Sequence, residues 1–235
     1  MATSSIKQNI PYLKQQFSAA LGNSSVVVKF LCVSVVVGYL LSFNSSALNG
    51  LAVTPGNILP PNFWYWTLFT YPFIETHVWN VLVDIVIVVL YGKLVEPLWG
   101  AKEMLIFFVV VTLVVAVAST LFYLCAFLVL RSPDYLFFTK ICGLAGYVGA
   151  FSVAVKQTMP DHVLINSPFG KMRNKHIPTC LLVCAIIARL TGIVMEAYPV
   201  MVGIGILTSW VYLRFYQKHS NGNKGDMAES FAFTR

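Results

Sequence analysis

The stretch Ile141-Cys142-Gly143-Leu144-Ala145-Gly146-Tyr147-Val148-Gly149-Ala150 is the centre of this sequence. Its three glycines recur every third residue, so a helix formed here would have one face almost bare of side chains. Helices in lipid pack through such faces, because burying apolar side chains against apolar lipid tails gains little free energy. The stretch therefore predicts a transmembrane helix that its neighbours approach closely.

The composition identifies an integral membrane protein. Of the 235 residues, 57% are hydrophobic and only 11% are charged, and the mean hydropathy is +0.74. In an ordinary soluble domain about a quarter of all residues are charged, so this composition excludes a soluble fold. Six apolar segments have about the length that a bilayer requires, roughly 17 to 25 residues each. They are residues 25–43, 78–95, 104–130, 136–155, 177–194 and 199–215.

The basic residues set the orientation of these segments. With a cytosolic N-terminus, thirteen of the sixteen Lys and Arg residues fall on the cytosolic side, as the positive-inside rule requires. Only Arg131 and Lys140 fall on the opposite side, and Arg189 lies inside a segment. We predict an all-α bundle of six transmembrane helices with both termini in the cytosol. A charge distributed in this way argues against nucleic acid as a partner.

The chain divides into three parts. Residues 1–24 are a cytosolic segment, either an amphipathic helix on the membrane surface or a flexible tail. Residues 25–216 form the membrane domain, and residues 217–235 form a cytosolic tail. All five cysteines lie in or at the ends of apolar segments, with no His or carboxylate at ligand spacing. We therefore predict no disulfide, no metal site and no cofactor.

The segment from residue 44 to residue 77 contains no Lys or Arg but several prolines and the run Phe63-Trp64-Tyr65-Trp66. Clustered Trp and Tyr side chains are typical of the membrane interface, where their rings lie in lipid and their polar atoms in water. We predict an ordered loop that is half sunk in the outer leaflet. An ordinary lumenal loop is the alternative.

Polar residues follow the start of the second segment. His77, Asn80 and Asp84 have helical spacing along one face, and a carboxylate inside the bilayer is expected to face the bundle interior or a watery cavity. Asp84 and Arg189 both lie about 10 Å from the same membrane surface, at about 1.5 Å of rise per residue. We predict an ion pair between Asp84 and Arg189. Either side chain could instead snorkel or contact lipid headgroups.

Two short motifs resemble those of rhomboid intramembrane proteases. Gly143-Leu144-Ala145-Gly146 is similar to the Gly-x-Ser-Gly signature that carries the nucleophile, with alanine in place of the serine. His77 and Asn80 stand near the start of the second segment, as in rhomboids. The end of that segment has the rhomboid-like spacing Gly92, Glu96 and Gly100, which by itself predicts only a helix stop with a tight turn.

The resemblance implies a rhomboid fold that lacks both the serine nucleophile and the histidine base. A rhomboid protease also needs a histidine base on its sixth helix, and residues 199–215 contain no histidine. The vestigial active-site positions would be Gly143, Ala145, Gly146, His77 and Asn80.

Longer strings run through nearly the whole chain. They include Leu51-Ala52-Val53-Thr54-Pro55-Gly56, Pro60-Pro61-Asn62-Phe63-Trp64, Glu96-Pro97-Leu98-Trp99-Gly100, Lys156-Gln157-Thr158-Met159 and Ser209-Trp210-Val211-Tyr212-Leu213-Arg214-Phe215-Tyr216-Gln217. These strings resemble the transmembrane protein 115 family, which is rhomboid-like, non-proteolytic and resident in the Golgi membrane with several spans. The resemblance implies a role in retrograde transport from Golgi to endoplasmic reticulum, effects on glycosylation, and the conserved oligomeric Golgi tethering complex as a partner.

Three functions are compatible with these residues. The first is a non-catalytic scaffold in the lipid bilayer that binds tethering factors, membrane-protein clients or a second copy of itself, with a cavity lined by His77, Asn80 and Asp84. The second is an intramembrane protease that uses Cys142 as an unusual nucleophile, for which the sequence offers no histidine base in reach. The third is a conduit for lipids or small solutes, for which Asp84 and Arg189 are the only support.

Overall fold

The computed structural model describes residues 26–158, 163–167, 170–217 and 225. The predicted cytosolic segment 1–24 and nearly all of the tail 217–235 lie outside these residues. The helices and strands are α1 (Val26–Ser42), α2 (Ser45–Leu51), α3 (Pro55–Ile58), α4 (Thr67–Thr70), a 3-10 helix (Tyr71–Phe73), α5 (Val78–Leu94), α6 (Glu96–Trp99), α7 (Ala101–Leu130), α8 (Asp134–Phe137), α9 (Ala145–Thr158), β1 (Val163–Ser167), β2 (Gly170–Arg173), a 3-10 helix (Asn174–His176), α10 (Ile177–Leu190), α11 (Tyr198–Val211) and a π-helical turn (Tyr212–Tyr216).

Three helical stretches of the described chain are long and apolar enough to cross a membrane. They are Val78–Trp99, Ala101–Leu130 and Tyr198–Tyr216. Helix α1 is apolar but has 17 residues, and α9 and α10 have 14 residues each. The chain is therefore an integral membrane protein with a helical membrane region. The count of six transmembrane segments and the cytosolic termini stay predictions.

The fourth predicted segment, residues 136–155, is not one helix. After α8 the chain runs extended, and Ile141 exchanges backbone hydrogen bonds of 2.8 and 3.0 Å with Val53. Gly143 has a φ of +90°, a left-handed conformation that interrupts a right-handed helix, and α9 begins only at Ala145. The predicted glycine face therefore loses Gly143 and keeps Gly146 and Gly149.

Helix α9 is the centre of the bundle, and α5, α7, α10 and α11 all pack against it. Its closest neighbour is α11, because glycines stand at the two points where the backbones meet. A Cβ atom on Gly149 would lie 2.5 Å from the carbonyl oxygen of Val202, and one on Gly205 would overlap the carbonyl oxygen of Gly146. Ser209 adds a buried hydrogen bond of 2.9 Å from its hydroxyl to the carbonyl of Ala150. Close packing through small residues is thus observed between α9 and α11.

The segment between α1 and α5 is an ordered loop with four short helices. Trp66 donates its Nε1–H to the carbonyl of Gly50 at 2.9 Å, and Thr70 donates its hydroxyl to the carbonyl of Leu51 at 2.8 Å. Tyr71 is buried and donates its hydroxyl to the carbonyl of Thr112 on α7 at 2.6 Å. These bonds hold the loop on the bundle. Its insertion into the outer leaflet stays a prediction.

The polar segment after α9 contains a hairpin that the sequence analysis does not predict. Strands β1 and β2 pair antiparallel, with Ser167 opposite Gly170 and Asn166 opposite Lys171. The hairpin lies at the end of the bundle that carries Thr158 and His176. We call this the lower end, and we call the opposite end, which carries His77 and Glu196, the upper end.

The α9–α11 crossing yields a prediction with a matched control on the same helix. Gly205→Ala should lower the free energy of unfolding by roughly 1 to 3 kcal/mol, because the new Cβ meets backbone that cannot move aside. Gly203→Ala should be neutral or raise it by up to about 1 kcal/mol, since only Leu182 Cδ1 lies near, at 3.6 Å, and alanine favours the helix. Thermal unfolding in detergent micelles measures both. Equal effects of the two substitutions would contradict the close crossing.

Candidate functional site

The backbone before α9 forms a cradle at the upper end of the bundle. Gly143 donates its N–H to the carbonyl of Tyr71 at 2.9 Å, and its left-handed φ turns the chain from the Val53–Ile141 bridge into the first turn of α9. Ala145, at the position of the rhomboid nucleophile, is the first residue of the helix and is completely buried. A methyl group cannot attack a carbonyl, so position 145 carries no nucleophilic chemistry.

The side chain of Glu75 fills this cradle. A Cβ atom on Gly143 would overlap Oε1 of Glu75, so only glycine leaves room for the carboxyl group. Glu75 accepts hydrogen bonds from the backbone N–H groups of Thr76 and Leu144 and, at 3.2 Å, from Nδ2 of Asn80. Leu144 directly precedes α9, where free N–H groups and the helix dipole favour an anion. The N–H of Leu144 is thus taken up by the acids, since Glu75 and Asp84 both accept from it.

Asp84 of α5 is the neighbour of Glu75. The two carboxyl groups are hydrogen-bonded to each other, and each residue is only 2% exposed. Oδ2 of Asp84 is buried and has no hydrogen-bond partner among the described residues. A hydrogen bond between two carboxyl groups requires a proton on one of them, because an ionised carboxylate only accepts. The pair therefore holds at most one negative charge as long as nothing else balances it.

Burial raises the pKa of the Glu75 carboxyl to about 7, even though the hydrogen bonds from Asn80, Asp84 and the backbone act to lower it. Desolvation is the larger effect because the surrounding groups are apolar: Ile74, Leu144 and Ala145 are all buried. A carboxyl with this pKa changes charge near neutral pH, which an exposed glutamate does not do.

His77, Asn80 and Asp84 do not line one cavity together, contrary to the prediction from the sequence. His77 precedes the first turn of α5 with an extended backbone, its ring is exposed, and its Nδ1 lies 2.9 Å from the hydroxyl of Thr76. Asn80 is half-buried and Asp84 fully buried, and both turn toward Glu75. The structure therefore brings Asn80 and Asp84 together with Gly143 and Ala145 and leaves His77 at the surface.

The predicted ion pair between Asp84 and Arg189 is wrong. Arg189 forms its salt bridge with Glu196, seven residues further along the chain, where both side chains reach water. Asp84 contacts Glu75 instead. The predicted depth of Arg189 assumed a single helix over residues 177–194. In the structure α10 ends at Leu190, so Arg189 lies in its last turn, at the upper surface. A long guanidinium side chain reaches water from there at little cost.

The turn residues after α5 have two different roles. Gly100 has a φ of +84° and separates α6 from α7, with its N–H donating to the carbonyl of Glu96 at 2.8 Å. Gly92 is still inside α5, and a Cβ atom there would overlap Cγ2 of Val28 on α1. Gly92 therefore permits a helix contact, and Gly100 alone makes the turn.

Cys142 lies beside the acid pair and is not an activated thiol. Its Sγ contacts Sδ of Met195 at 3.5 Å, and burial raises the thiol pKa above its ordinary value. Within the described chain, no histidine is hydrogen-bonded to it. An activated cysteine needs an electropositive and partly open setting, and this one is apolar, closed and next to two acids.

Met195 also lines a pocket of about 490 Å³ that opens at the upper end. The other lining residues are Asp134, Phe138, Thr139, Lys140, Arg189 and Glu196. The thioether lies 3.8 Å from the hydroxyl of Thr76, next to Glu75. Met195 thus stands between the pocket and the residues that hold the acid pair.

Glu75 is a site residue that was not predicted from the sequence. The signal was present, because Glu75 is the single Asp, Glu, Lys or Arg residue in the loop from 44 to 77, and a glutamate in so apolar a loop is buried only when it is paired. Its partners are far away in the chain: Gly143 follows 68 residues later. Only the fold of the loop onto α9 brings them together.

The cradle yields a prediction for Gly143. Gly143→Ala should lower the free energy of unfolding by roughly 2 to 4 kcal/mol, because the new Cβ overlaps the Glu75 carboxyl and alanine is strained at a φ of +90°. Gly50→Ala is the control, since a Cβ there has nothing within 4 Å and α2 gains helix propensity. Thermal unfolding in micelles compares the two. A Gly143→Ala protein as stable as Gly50→Ala would refute the described contact.

The raised pKa of Glu75 predicts how stability varies with pH. The unfolded chain has an ordinary Glu pKa of about 4.3, so between that value and about 7 the folded state binds the extra proton. Stability should fall as the pH rises through this window. Relative to Glu75→Gln, the wild type should lose roughly 2 to 3 kcal/mol between pH 5 and pH 8.

Unfolding monitored by tryptophan fluorescence at several pH values measures this difference. Glu196→Gln is the control for removing a surface carboxyl at the same end of the bundle. If the difference in unfolding free energy between wild type and Glu75→Gln does not vary with pH, the pKa of Glu75 is not raised in the folded state.

Comparison with known proteins identifies the family of this chain. The family model described as eukaryotic integral membrane protein (DUF1751) matches residues 29–235. Transmembrane protein 115 from Mus musculus is 45% identical over 228 residues, and that from Homo sapiens is 44% identical over 228 residues. Each alignment covers 97% of this chain and 64% of the relative, so the chain spans just under two thirds of these relatives.

A more distant relative carries the rhomboid name. Rhomboid-like protein 19 from Arabidopsis thaliana is 28% identical over 221 residues, which are 90% of this chain and 68% of the relative. The family model covers the described membrane helices and the acid pair. The resemblance to the transmembrane protein 115 family is thereby confirmed, and the chain belongs to the eukaryotic integral membrane protein family DUF1751.

Proposed function

We propose that this chain is a non-catalytic, rhomboid-like protein of the Golgi membrane. It acts in retrograde transport from Golgi to endoplasmic reticulum and in Golgi organisation by binding membrane-protein clients or tethering factors, the conserved oligomeric Golgi tethering complex among them. The observation that carries the non-catalytic part is the occupied cradle before α9. Ala145 supplies no nucleophile, and Glu75 holds the N–H group of Leu144.

The geometry also speaks against proteolysis by another nucleophile. Cys142 is buried against Met195, beside two acids that oppose formation of a thiolate. The proposed Golgi location and transport role rest on the resemblance of the sequence strings to the transmembrane protein 115 family, and 97% of this chain aligns with a relative of that name. A conduit for lipids or solutes loses its support, because Asp84 and Arg189 do not form a polar path together.

Proximity labelling in cells tests the proposal. A biotin ligase fused to the chain should label subunits of the Golgi tethering complex and recycling membrane proteins at least several-fold above an unrelated multi-pass Golgi protein that carries the same ligase. Immunofluorescence should place the fusion in the Golgi. Labelling equal to that of the control protein, or a location elsewhere, would contradict the proposed partners and location.

Activity-based probes complete this experiment. Cys125 and Cys184 are exposed and would react with any thiol reagent, so the probe is applied to Cys125→Ala/Cys184→Ala protein and the labelled site is mapped. The proposal expects no labelling of Cys142 by a thiol probe and none of any hydroxyl by a serine-hydrolase probe. Labelling of Cys142 that disappears in Cys142→Ala would overturn the non-catalytic function.

A further inference from the structure

Glu75 and Asp84 present a charge imbalance inside the bundle. Glu75 has three hydrogen-bond donors around it, from Thr76, Leu144 and Asn80, and these stabilise one carboxylate. Asp84 has an oxygen without a donor, and no Lys, Arg or His of the described residues forms an ion pair with either acid. The pair shares a proton and can hold one negative charge, and the described residues place no cation beside it. Such an imbalance in a membrane protein points to a ligand.

The surroundings of the pair decide the chemistry of that ligand. The described residues contain no group of three His, Cys, Asp or Glu side chains that could hold a metal ion. The surroundings of the pair are mostly apolar, with Cys142, Leu144 and the flexible thioether of Met195 beside it and the phenol of Tyr198 as a further polar group. Apolar walls with an acidic end match a lysine or arginine side chain, whose stem is apolar and whose head is charged.

An approach to the pair exists at the upper end. The 490 Å³ pocket reaches Met195, whose sulfur touches Cys142 and Thr76 on either side of the Gly143 cradle. Methionine has an unbranched side chain that changes rotamer at low cost. Glu75 and Asp84 do not line the pocket themselves, and Met195 connects it to Cys142 and Thr76 beside the acid pair. The lining includes two acids, Asp134 and Glu196, and two bases, Lys140 and Arg189.

We propose that Glu75 and Asp84 form a binding site for a single lysine or arginine side chain on the membrane segment of a client protein, reached from the pocket lined by Met195. The inference deepens the proposed function and rests on its client binding. Bound in this way, the cation balances the negative charge of the pair, and the unpartnered Oδ2 of Asp84 gains a donor. Clients would be selected by a basic residue in the upper part of the membrane segment, about 10 Å below the surface at about 1.5 Å per residue.

Model peptides test this selection. The probes are two leucine-rich transmembrane peptides with a fluorescent label, one with lysine at the depth of Asp84 and one with norleucine there, which keeps the stem and removes the charge. The protein is held in lipid nanodiscs, and energy transfer reports binding. The lysine peptide should bind roughly tenfold or more tightly than the norleucine peptide, because a hydrogen-bonded charge contributes about 1.5 to 3 kcal/mol.

Substitutions test whether the two acids cause the preference for the lysine peptide. Glu75→Gln/Asp84→Asn should erase the preference for lysine, and Glu96→Gln, a carboxylate at the lower end, should preserve it. Photo-crosslinking from a diazirine beside the lysine on the wild-type protein is independent of how the variants fold, and it should map to residues near Asp84 and Met195. Equal binding of the two peptides, or crosslinks elsewhere, would overturn the site.

The outcomes separate this inference from the proposed function. If the two peptides bind equally well, client binding stands and the cation site falls. If neither peptide binds and proximity labelling finds no membrane clients, client binding itself falls and the cation site falls with it. A lysine preference that survives in Glu75→Gln/Asp84→Asn would assign the charge recognition to other residues, and the inference would be wrong.

Discussion

The close crossing of α9 and α11 is the contact on which the rest of the structure depends. Gly149 lies against the backbone of Val202, and Gly205 lies against the backbone of Gly146, so the two backbones meet at these glycines. Lipid supplies no hydrophobic force that would hold a looser pair together. Because α9 is fixed in this way, its first turn has a defined position at the upper end, and so does the cradle before it.

That position explains why an acid can be buried in the membrane region. A carboxylate in an apolar bundle is costly unless donors compensate it. The start of α9 offers the N–H of Leu144, and the left-handed Gly143 leaves the space that the Glu75 carboxyl needs. Tyr71 holds the loop that carries Glu75, through its hydroxyl bond to Thr112 and its carbonyl bond from Gly143. The cradle and the loop are therefore parts of one arrangement.

The sequence predicted what depends on local composition. Apolar length located α1, α5, α7, α10 and α11 to within a few residues, and the glycine spacing identified α9 as the helix that others approach. It could not show that residues 136–144 leave the helix, because the bridge from Ile141 to Val53 joins residues 88 positions apart. The prediction of Arg189 as the partner of Asp84 failed for a related reason. Opposite charge favoured Arg189, whereas the fold supplied a second acid.

The charge at the cradle bears on the chemistry that this position can support. Peptide hydrolysis develops negative charge on the carbonyl oxygen, and an active site stabilises it with N–H donors at the place where the nucleophile attacks. Here a carboxyl group of the chain itself takes a donor next to Ala145. An acid at that place repels a developing oxyanion and attracts a cation. A serine placed at position 145 would therefore supply a hydroxyl beside two acids, whereas an oxyanion hole surrounds the reacting carbonyl with N–H donors.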